Sequence, residues 1–114
     1  MAGKAEREPA LVTVAVRCPD AATAERIGEA VVLRRQAACA HVGPAVASTY
    51  RWRGAIETVG EVTLDMVTRA ERFDELAATV RALHPYEVPA IVATPVVAAS
   101  PAYASWVVDE TGRD

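Results

Sequence analysis

The chain has 114 residues, of which 52% are hydrophobic, 24% charged and 5% aromatic, and its formal net charge is −3. This length predicts one domain, because two separate cores would each be too small to be stable. The acidic balance leaves no basic stripe to neutralise phosphates, and no apolar run is long enough to span a bilayer. We therefore expect no nucleic-acid partner and no membrane partner.

The ends of the chain are polar. Residues 1–9 are predicted to be a flexible lead-in, residues 10–110 the single domain, and residues 111–114 a C-terminal tail. The first nine residues lack an apolar signal core, so we expect a cytoplasmic protein. Its two cysteines, Cys18 and Cys39, are then expected to be thiols.

The first strand and helix are signalled by prolines. Leu11 to Arg17 is a β-branched run between Pro9 and Pro19, which predicts a strand. A helix follows, with Asp20 as its N-terminal cap and apolar residues at helical spacing, and it is expected to end near residue 36.

A long central hairpin is predicted next. Two extended segments, residues 39–52 and 55–68, flank Arg53-Gly54, where glycine supplies the positive φ of a tight turn. Proline cannot donate to a β-ladder, so Gly43-Pro44 predicts a bulge, and a second irregularity is expected near Gly60.

The hairpin also indicates an oligomer. Its arms have about a dozen residues each, against a usual five or six. Apolar side chains follow the arms toward the tip, at Val46, Tyr50, Trp52 and Ile56. They would form an unpaired apolar edge in a monomer, and we expect neighbouring subunits to bury them.

The second half repeats the helix–strand pattern. Thr68 to Glu71 has capping-box spacing and is expected to open a helix that Pro85 ends. Val88 to Val97 contains two prolines, which predicts an edge strand, and Ser100-Pro101 opens a short last helix. The element order predicts an α+β fold, a ferredoxin-like βαββαβ sandwich with a long central hairpin and a short C-terminal helix.

Cys39 is the leading candidate for a metal ligand. On a regular strand Cys39 and His41 share one face, because they are two residues apart. A thiolate and an imidazole suit copper or zinc, and a third ligand would come from elsewhere, with His84 as the first choice. The alternative is that Cys39 is a small buried core residue and that His41 is solvated.

A second cluster of polar residues is predicted where the second helix meets the last strand. His84, Tyr86 and Glu87 lie there and could form a ligand pocket with Cys39, Tyr50 and Trp52. In the structural alternative, His84 caps the helix C-terminus as a cation and Tyr86 bonds to a neighbouring backbone.

The two tryptophans also have two interpretations. Trp52 and Trp106 could stack on a planar ligand, or they could anchor a subunit interface, which is the commoner use of tryptophan. The sequence offers no Ser/His/Asp arrangement, no glycine-rich phosphate loop and no HExxH motif, so we do not expect an enzyme.

Several segments, in this order and spacing, resemble the CutA family over roughly residues 11–108. They are Cys18-Pro19-Asp20, Ala37-Ala38-Cys39, Tyr50-x-Trp52-x-Gly54-x-Ile56, His84-Pro85-Tyr86-Glu87-Val88-Pro89, Pro95-Val96 and Tyr103-x-x-Trp106. The resemblance implies a role in tolerance of divalent ions, a homotrimer joined through sheet edges, and a shape similar to PII signalling proteins. It also implies an association with divalent metals, copper in particular. We expect that binding to be weak, and we expect no organic cofactor.

The chain departs from the family pattern at charged positions. Family members usually carry lysine where Val67 stands, glutamate where Ala90 stands, and Glu-Gly-Lys where this chain has Arg53-Gly54-Ala55. Replacing both members of a buried ion pair costs less than removing one. We therefore hypothesise that Val67 and Ala90 replace such a pair.

Three functions fit these residues. The first is a trimeric metal-responsive protein that binds copper or similar ions through Cys39 and its neighbours. The second is a PII-like signalling or small-ligand module with clefts between its subunits. The third is a non-catalytic structural trimer.

Overall fold

The computed structural model describes residues 9–112, so most of the predicted lead-in lies outside the described residues. These described residues form four strands, three α-helices and one 3-10 turn. They are β1 (Leu11–Cys18), α1 (Ala21–Leu33), β2 (Cys39–Trp52), β3 (Ala55–Arg69), a 3-10 turn (Ala70–Arg72), α2 (Phe73–Leu83), β4 (Ile91–Pro95) and α3 (Pro101–Glu110).

The four strands form one antiparallel sheet in the order β2-β3-β1-β4. Strand β1 pairs with β3 along its whole length, from Leu11 opposite Arg69 to Cys18 opposite Val62. Strand β4 pairs with the other edge of β1 and lies at the edge of the sheet. This topology confirms the predicted ferredoxin-like fold.

Helices α1 and α2 cover one face of the sheet. Alternate residues of β1 and β3, including Val14, Val16 and Leu64, are fully buried against apolar residues of the two helices such as Ile27 and Val80. Burying an aliphatic side chain of this size contributes about 1.5–3 kcal/mol, so this layer provides most of the hydrophobic stabilisation.

Helix α3 packs on the opposite face. Its Val107 is buried with Leu11 and Ala38, and the partly buried Val67 packs against this cluster. Leu11 and Val67 occupy odd positions along strands whose even positions face α1 and α2, so they point to the other side. Because α3 has only 10 residues, it covers only one end of that face.

The start of α1 agrees with the prediction, and its end differs. The carboxylate of Asp20 accepts a hydrogen bond of 2.8 Å from the backbone amide of Thr23, which is the predicted N-terminal cap. The helix ends at Leu33 instead of near residue 36, because Arg35 adopts a left-handed backbone conformation with φ of 59°.

The central hairpin has the predicted turn and one of the two predicted irregularities. Arg53 (φ 51°) and Gly54 (φ 85°) both lie in the left-handed region, which is the geometry of a type I′ turn. The register of β2 against β3 shifts between Val42 and Ala45, which places the bulge at Gly43-Pro44. No shift occurs at Gly60, which pairs with Ala47, so the second expected irregularity is wrong.

The predicted capping box at Thr68 is also wrong. Thr68 stays in β3 because it pairs with Val12 of β1, and its buried hydroxyl has no hydrogen-bond partner among residues 9–112. Helix α2 begins only at Phe73, after the 3-10 turn. It ends at Leu83, before Pro85 as predicted, and His84 is extended.

The last strand is shorter than predicted, and the end of the domain is longer. Strand β4 begins at Ile91 instead of Val88, because only residues 91–95 pair with β1. Thr111, assigned to the tail from sequence, is fully buried. Arg72 donates a hydrogen bond of 2.8 Å to its carbonyl, and Arg69 donates one of 3.0 Å to its hydroxyl. In residues 9–112 we find no helix with the length and apolar character of a transmembrane span.

Candidate functional site

A cavity of about 590 Å³ lies between the hairpin, the end of β1 and the segment that joins α2 to β4. The hairpin forms one wall because its arms continue beyond Val62, where the pairing of β1 with β3 stops. The lining residues are Arg17, Ser48, Thr49, Tyr50, Trp52, Glu57, Glu61, Tyr86, Glu87, Val88 and Ala90. Four of the residues predicted for a ligand pocket therefore meet here: Tyr50, Trp52, Tyr86 and Glu87.

The register of the hairpin brings aromatic and acidic side chains together. Tyr50 lies directly opposite Glu57, and Trp52 lies two residues farther along the same strand, on the same face. Glu61 follows Glu57 by four residues and shares that face. Partial desolvation, and then the nearby Glu57 and Glu61 carboxylates, raise the pKa of the Tyr50 phenol above its usual value of 10.0.

Tyr86 links the segment after α2 to the hairpin. Its hydroxyl donates a hydrogen bond of 2.8 Å to Glu61, whose side chain is only 7% exposed. Burial, followed by this hydrogen bond to Glu61, raises the pKa of the Tyr86 phenol. Tyr86 therefore stays protonated over the physiological range, and it satisfies a carboxylate that would otherwise be buried without a donor.

Arg53, in the turn of the hairpin, contacts two residues of the cavity lining. Its guanidinium lies 2.6 Å from the carboxylate of Glu87 and 5.1 Å from the centre of the Trp52 ring. Both charged side chains of this bridge are about two-thirds exposed, at 68% and 67%. Exposed ion pairs contribute at most about 1 kcal/mol, so the bridge can open easily.

His84 supports the cavity and does not fit the predicted role of a metal ligand. Its Nε2 donates a hydrogen bond of 2.7 Å to the carbonyl of Arg17, and its Nδ1 accepts one of 3.2 Å from the backbone amide of Tyr86. Both ring nitrogens are therefore used to hold the end of β1 against the segment after α2. The imidazole also does not cap the helix as a cation, because Nδ1 must accept a hydrogen bond.

Cys39 lies outside the cavity. It pairs with Val67 near the other end of the sheet, and its sulfur lies 3.3 Å from the hydroxyl of Tyr103 on α3. This hydrogen bond, followed by burial, raises the pKa of the Tyr103 phenol to about 12. Val67 in turn pairs with Thr13 of β1, whereas His84 contacts β1 at Arg17, four residues beyond Thr13. Four residues of a strand span roughly 13 Å. One chain therefore does not bring Cys39 and His84 together.

The third predicted ligand, His41, shares a face of the sheet with Cys39 as predicted, and Cys18 is a core residue. His41 is exposed and lies opposite Asp65 in the register of β2 with β3, on the same face as Cys39. Cys18 is fully buried, and burial raises its pKa to about 11, which keeps the thiol protonated. In the range that the structure covers, residues 9–112, no three or more His, Cys, Asp or Glu side chains are grouped to hold a metal ion.

Trp106 belongs to α3 and is not part of the cavity lining. Its ring packs against that of Tyr103, with the two centres 5.7 Å apart, and 41% of the residue remains exposed. This exposure is compatible with the predicted role at an interface, whereas stacking with Trp52 on one ligand would require a second chain.

Val67 and Ala90 do not meet within the chain. Val67 pairs with Thr13 of β1, and Ala90 precedes Ile91, which pairs with Val16 from the other side of β1. They are separated by the width of β1 and by several residues along it. A replaced ion pair at these positions would therefore require two different subunits.

Several residues of the cavity were not identified from the sequence. Glu57 and Glu61 are four residues apart on one strand, and this even spacing places them on one face, which was a usable signal. Arg17, which lines the cavity, and Arg53, which contacts the lining, gave no comparable signal in the sequence. Their positions depend on how the hairpin and the α2–β4 segment approach each other.

Comparisons with known proteins agree on one family. A family model described as CutA1 divalent ion tolerance protein matches residues 12–110. The chain is 40% identical to Protein CutA of Mus musculus over 92 residues, which is 81% of this chain and 52% of the mouse protein. It is 38% identical to the divalent-cation tolerance protein CutA of Thermus thermophilus over 105 residues, which is 92% of this chain and 98% of that protein.

The solved structures extend this similarity to the fold. The crystal structure of CutA1 from Shewanella sp. SIB1 superposes with a TM-score of 0.88 at 33% identity, and the match covers 94% of this chain and all of the other. This chain spans only about half the length of the mouse relative, although it spans nearly all of the Thermus protein.

Proposed function

Because the chain belongs to the CutA1 divalent ion tolerance family, we propose that it acts in tolerance of divalent cations by binding them weakly as a homotrimer, with copper as the preferred ion. The observation that carries this proposal is the family match over residues 12–110, supported by near full-length similarity to the Thermus protein. The proposed role is binding and not catalysis.

Exposed apolar side chains on the hairpin support the homotrimer. Ile56 is 60% exposed and lies on the other face of the hairpin from Tyr50 and Trp52, which are 39% and 37% exposed and line the cavity, so the proposed subunit contact is centred on Ile56. They lie on arms that pair only with each other beyond Val62. Apolar side chains on such a long projecting ribbon are stabilised when another chain covers them.

Sedimentation measures the oligomeric state directly. We expect the wild-type protein and an Ile56→Val control to sediment as trimers at micromolar concentration. Ile56→Asp places a charge in the contact and should shift the population toward smaller species. A wild-type protein that sediments as a single chain at this concentration would refute the homotrimer.

The thiol of Cys39 is the proposed soft ligand. It is partly exposed and bonded to a phenol, and His41 shares its face of the sheet. Thiolate and imidazole are ligands that copper and zinc accept readily. Since these two residues do not complete a site, we propose that a neighbouring subunit supplies the remaining donors.

Copper and zinc titrations into the reduced protein test this assignment. We expect Cys39→Ala to weaken copper binding at least several-fold, and Cys18→Ala, which removes the fully buried thiol, to leave it unchanged. Equal copper binding by wild type and Cys39→Ala would remove Cys39 from the proposal.

The cavity favours a second candidate, a PII-like module that binds a small ligand. A volume of about 590 Å³ lies within the range typical of small-molecule sites, and its wall combines aromatic surfaces with a few polar groups. A ligand that binds only the folded protein raises its melting temperature. A metabolite panel screened by thermal shift should therefore contain at least one stabilising compound, and a panel without any would count against this candidate.

A further inference from the structure

The cavity wall combines three aromatic rings with an excess of negative charge. Glu57, Glu61 and Glu87 contribute carboxylates, and Arg17 contributes the one cationic side chain of the lining. Aromatic faces attract cations through their quadrupole, and carboxylates add a direct charge interaction. The wall is therefore unfavourable for anions and well matched to positively charged ligands.

The hydrogen bonds of the two tyrosines maintain this character. Tyr86 donates its hydroxyl hydrogen to Glu61, and the Tyr50 phenol lies opposite Glu57. The pKa of each phenol is raised, so both rings remain uncharged at neutral pH. The two rings therefore offer neutral π surfaces beside the carboxylates.

The side chain of Arg53, which carries a guanidinium group, contacts residues of the cavity lining. The guanidinium of Arg53 rests 5.1 Å from the centre of the Trp52 ring and 2.6 Å from the carboxylate of Glu87, both of which line the cavity. A cation within about 6 Å of a tryptophan ring is in the range of a cation–π interaction. Arg53 therefore shows which chemistry this part of the wall accepts.

We propose that the cavity binds a small organic cation, one that carries a guanidinium or a substituted ammonium group, and that Arg53 is an intramolecular competitor for the same Trp52 and Glu87 surfaces. The inference rests on the second candidate function, a small-ligand module, and goes beyond it by fixing the charge class of the ligand. It does not depend on metal binding through Cys39.

The competition predicts whether removal of the Arg53 guanidinium raises or lowers the affinity for a cationic ligand. Both partners of the Arg53–Glu87 pair are about two-thirds exposed, so the bridge is weak and a ligand can displace it. Ligand binding must then include the cost of opening the bridge. Removing the guanidinium removes that cost and leaves the tryptophan face and the carboxylate free. The substitution Arg53→Gln should therefore tighten cation binding, by roughly two- to five-fold.

Tryptophan emission reports on the cavity when Trp52 is the one tryptophan left. The chain has two tryptophans, and Trp106 lies on α3, so the full-length Trp106→Phe protein serves as the parent for all variants. The probes are choline, agmatine and 3,3-dimethyl-1-butanol, which is the uncharged isostere of choline. We expect choline and agmatine to change the emission of Trp52 and to raise the melting temperature, and the alcohol to do neither.

Two variants and two matched controls test the wall itself. Glu57→Gln removes one lining carboxylate and should weaken choline binding by about two- to five-fold, whereas Arg53→Gln should strengthen it. Arg51→Gln and Glu29→Gln remove the same charges from exposed positions outside the lining and should leave binding unchanged.

Each negative result of these experiments refutes a different part of the proposal. If the uncharged alcohol binds as well as choline, the charge class is wrong, although a small-ligand role remains. If Arg53→Gln leaves the affinity unchanged or weakens it, Arg53 is not a competitor. If no probe affects Trp52, the inference is overturned, and a wider metabolite panel without any stabilising compound would overturn the second candidate function as well.

Discussion

Gly43 is the position where one added methyl group should have the clearest effect on stability. A Cβ built on Gly43 collides with the hydroxyl oxygen of Thr63 on the adjacent strand, while the next neighbours, Cβ and the carbonyl oxygen of Thr63, lie at ordinary distances of 3.5 and 3.7 Å. The conflict in Gly43→Ala is therefore concentrated on one rotatable hydroxyl group, at the bulge that redirects β2.

The expected cost follows from two opposing effects. Overpacking that forces a rotamer change or a backbone shift costs about 1–3 kcal/mol. Replacing glycine with alanine also restricts the unfolded chain, which stabilises the fold by about 0.4–1 kcal/mol. We expect Gly43→Ala to lower the free energy of unfolding by a net ~1–2 kcal/mol.

Urea unfolding at a fixed protein concentration measures this difference. Gly60→Ala is the matched control, because Gly60 also lies in the hairpin and a Cβ there meets nothing within 4 Å. In a Thr63→Ala background the colliding oxygen is gone, so the cost of Gly43→Ala should fall to near zero or change sign. If Gly43→Ala costs the same with and without the Thr63 hydroxyl, the contact is not the cause and the reasoning is refuted.

Three further predictions concern single side chains. Hydrogen bonds from the first turn of α1 lower the pKa of Asp20 in the folded protein below its usual value of 3.8. The cap therefore stabilises the fold fully above pH 3.8, and this stabilisation is lost as the pH falls through the lowered pKa of the folded state. Asp20→Ala should therefore lower the melting temperature at pH 7, and the difference should shrink on acidification below pH 3.8. Cys39→Ala removes the hydrogen bond that contributes most to the raised pKa of Tyr103, about 12, and an ultraviolet titration should show one tyrosine that ionises closer to pH 10.0. An unchanged titration would mean that the bond does not form in solution. Arg72→Met removes one of the two guanidinium donors to the carbonyl of Thr111, the other being Arg69, and thermal or urea unfolding should show a loss of about 1–3 kcal/mol. A loss below 0.5 kcal/mol would show that this contact does not stabilise the end of α3.

Local features of the sequence determined the order of the elements. A proline fixes φ and lacks a donor, so Pro85 ended α2, and Gly43-Pro44 produced the bulge where expected. The cap at Asp20 and the turn at Arg53-Gly54 likewise depend on the chain within a few residues. Such signals can be read from one sequence because their energies are local.

The same local signals failed where the sheet competed with them. Thr68 has the spacing of a capping residue, but pairing with Val12 keeps it in β3, and its hydroxyl finds no partner in the described part of the chain. Residues 88–90 resemble a strand, but β4 forms only at Ile91–Pro95, where β1 offers backbone partners. A ladder bond requires a partner strand in register, and the local pattern does not contain that information.

The candidate site likewise combines features that the sequence predicted with features that only the tertiary structure determined. The sequence offered a shared pocket of Tyr50, Trp52, Tyr86 and Glu87 as one of two interpretations, and it also placed Cys39 and His84 in that pocket. The tertiary structure decided that His84 has both ring nitrogens in hydrogen bonds, that Cys39 lies apart from it, and that Arg53 pairs with Glu87 of the cavity lining.

The physical reason is the sequence distance between the partners. His84 bonds to Arg17, and Arg53 bonds to Glu87, across separations of 67 and 34 residues. Those contacts exist only after the hairpin, β1 and the α2–β4 segment have packed. The sequence by itself therefore determined which elements form and which chemical groups are available, and only the folded chain determined which of those groups meet.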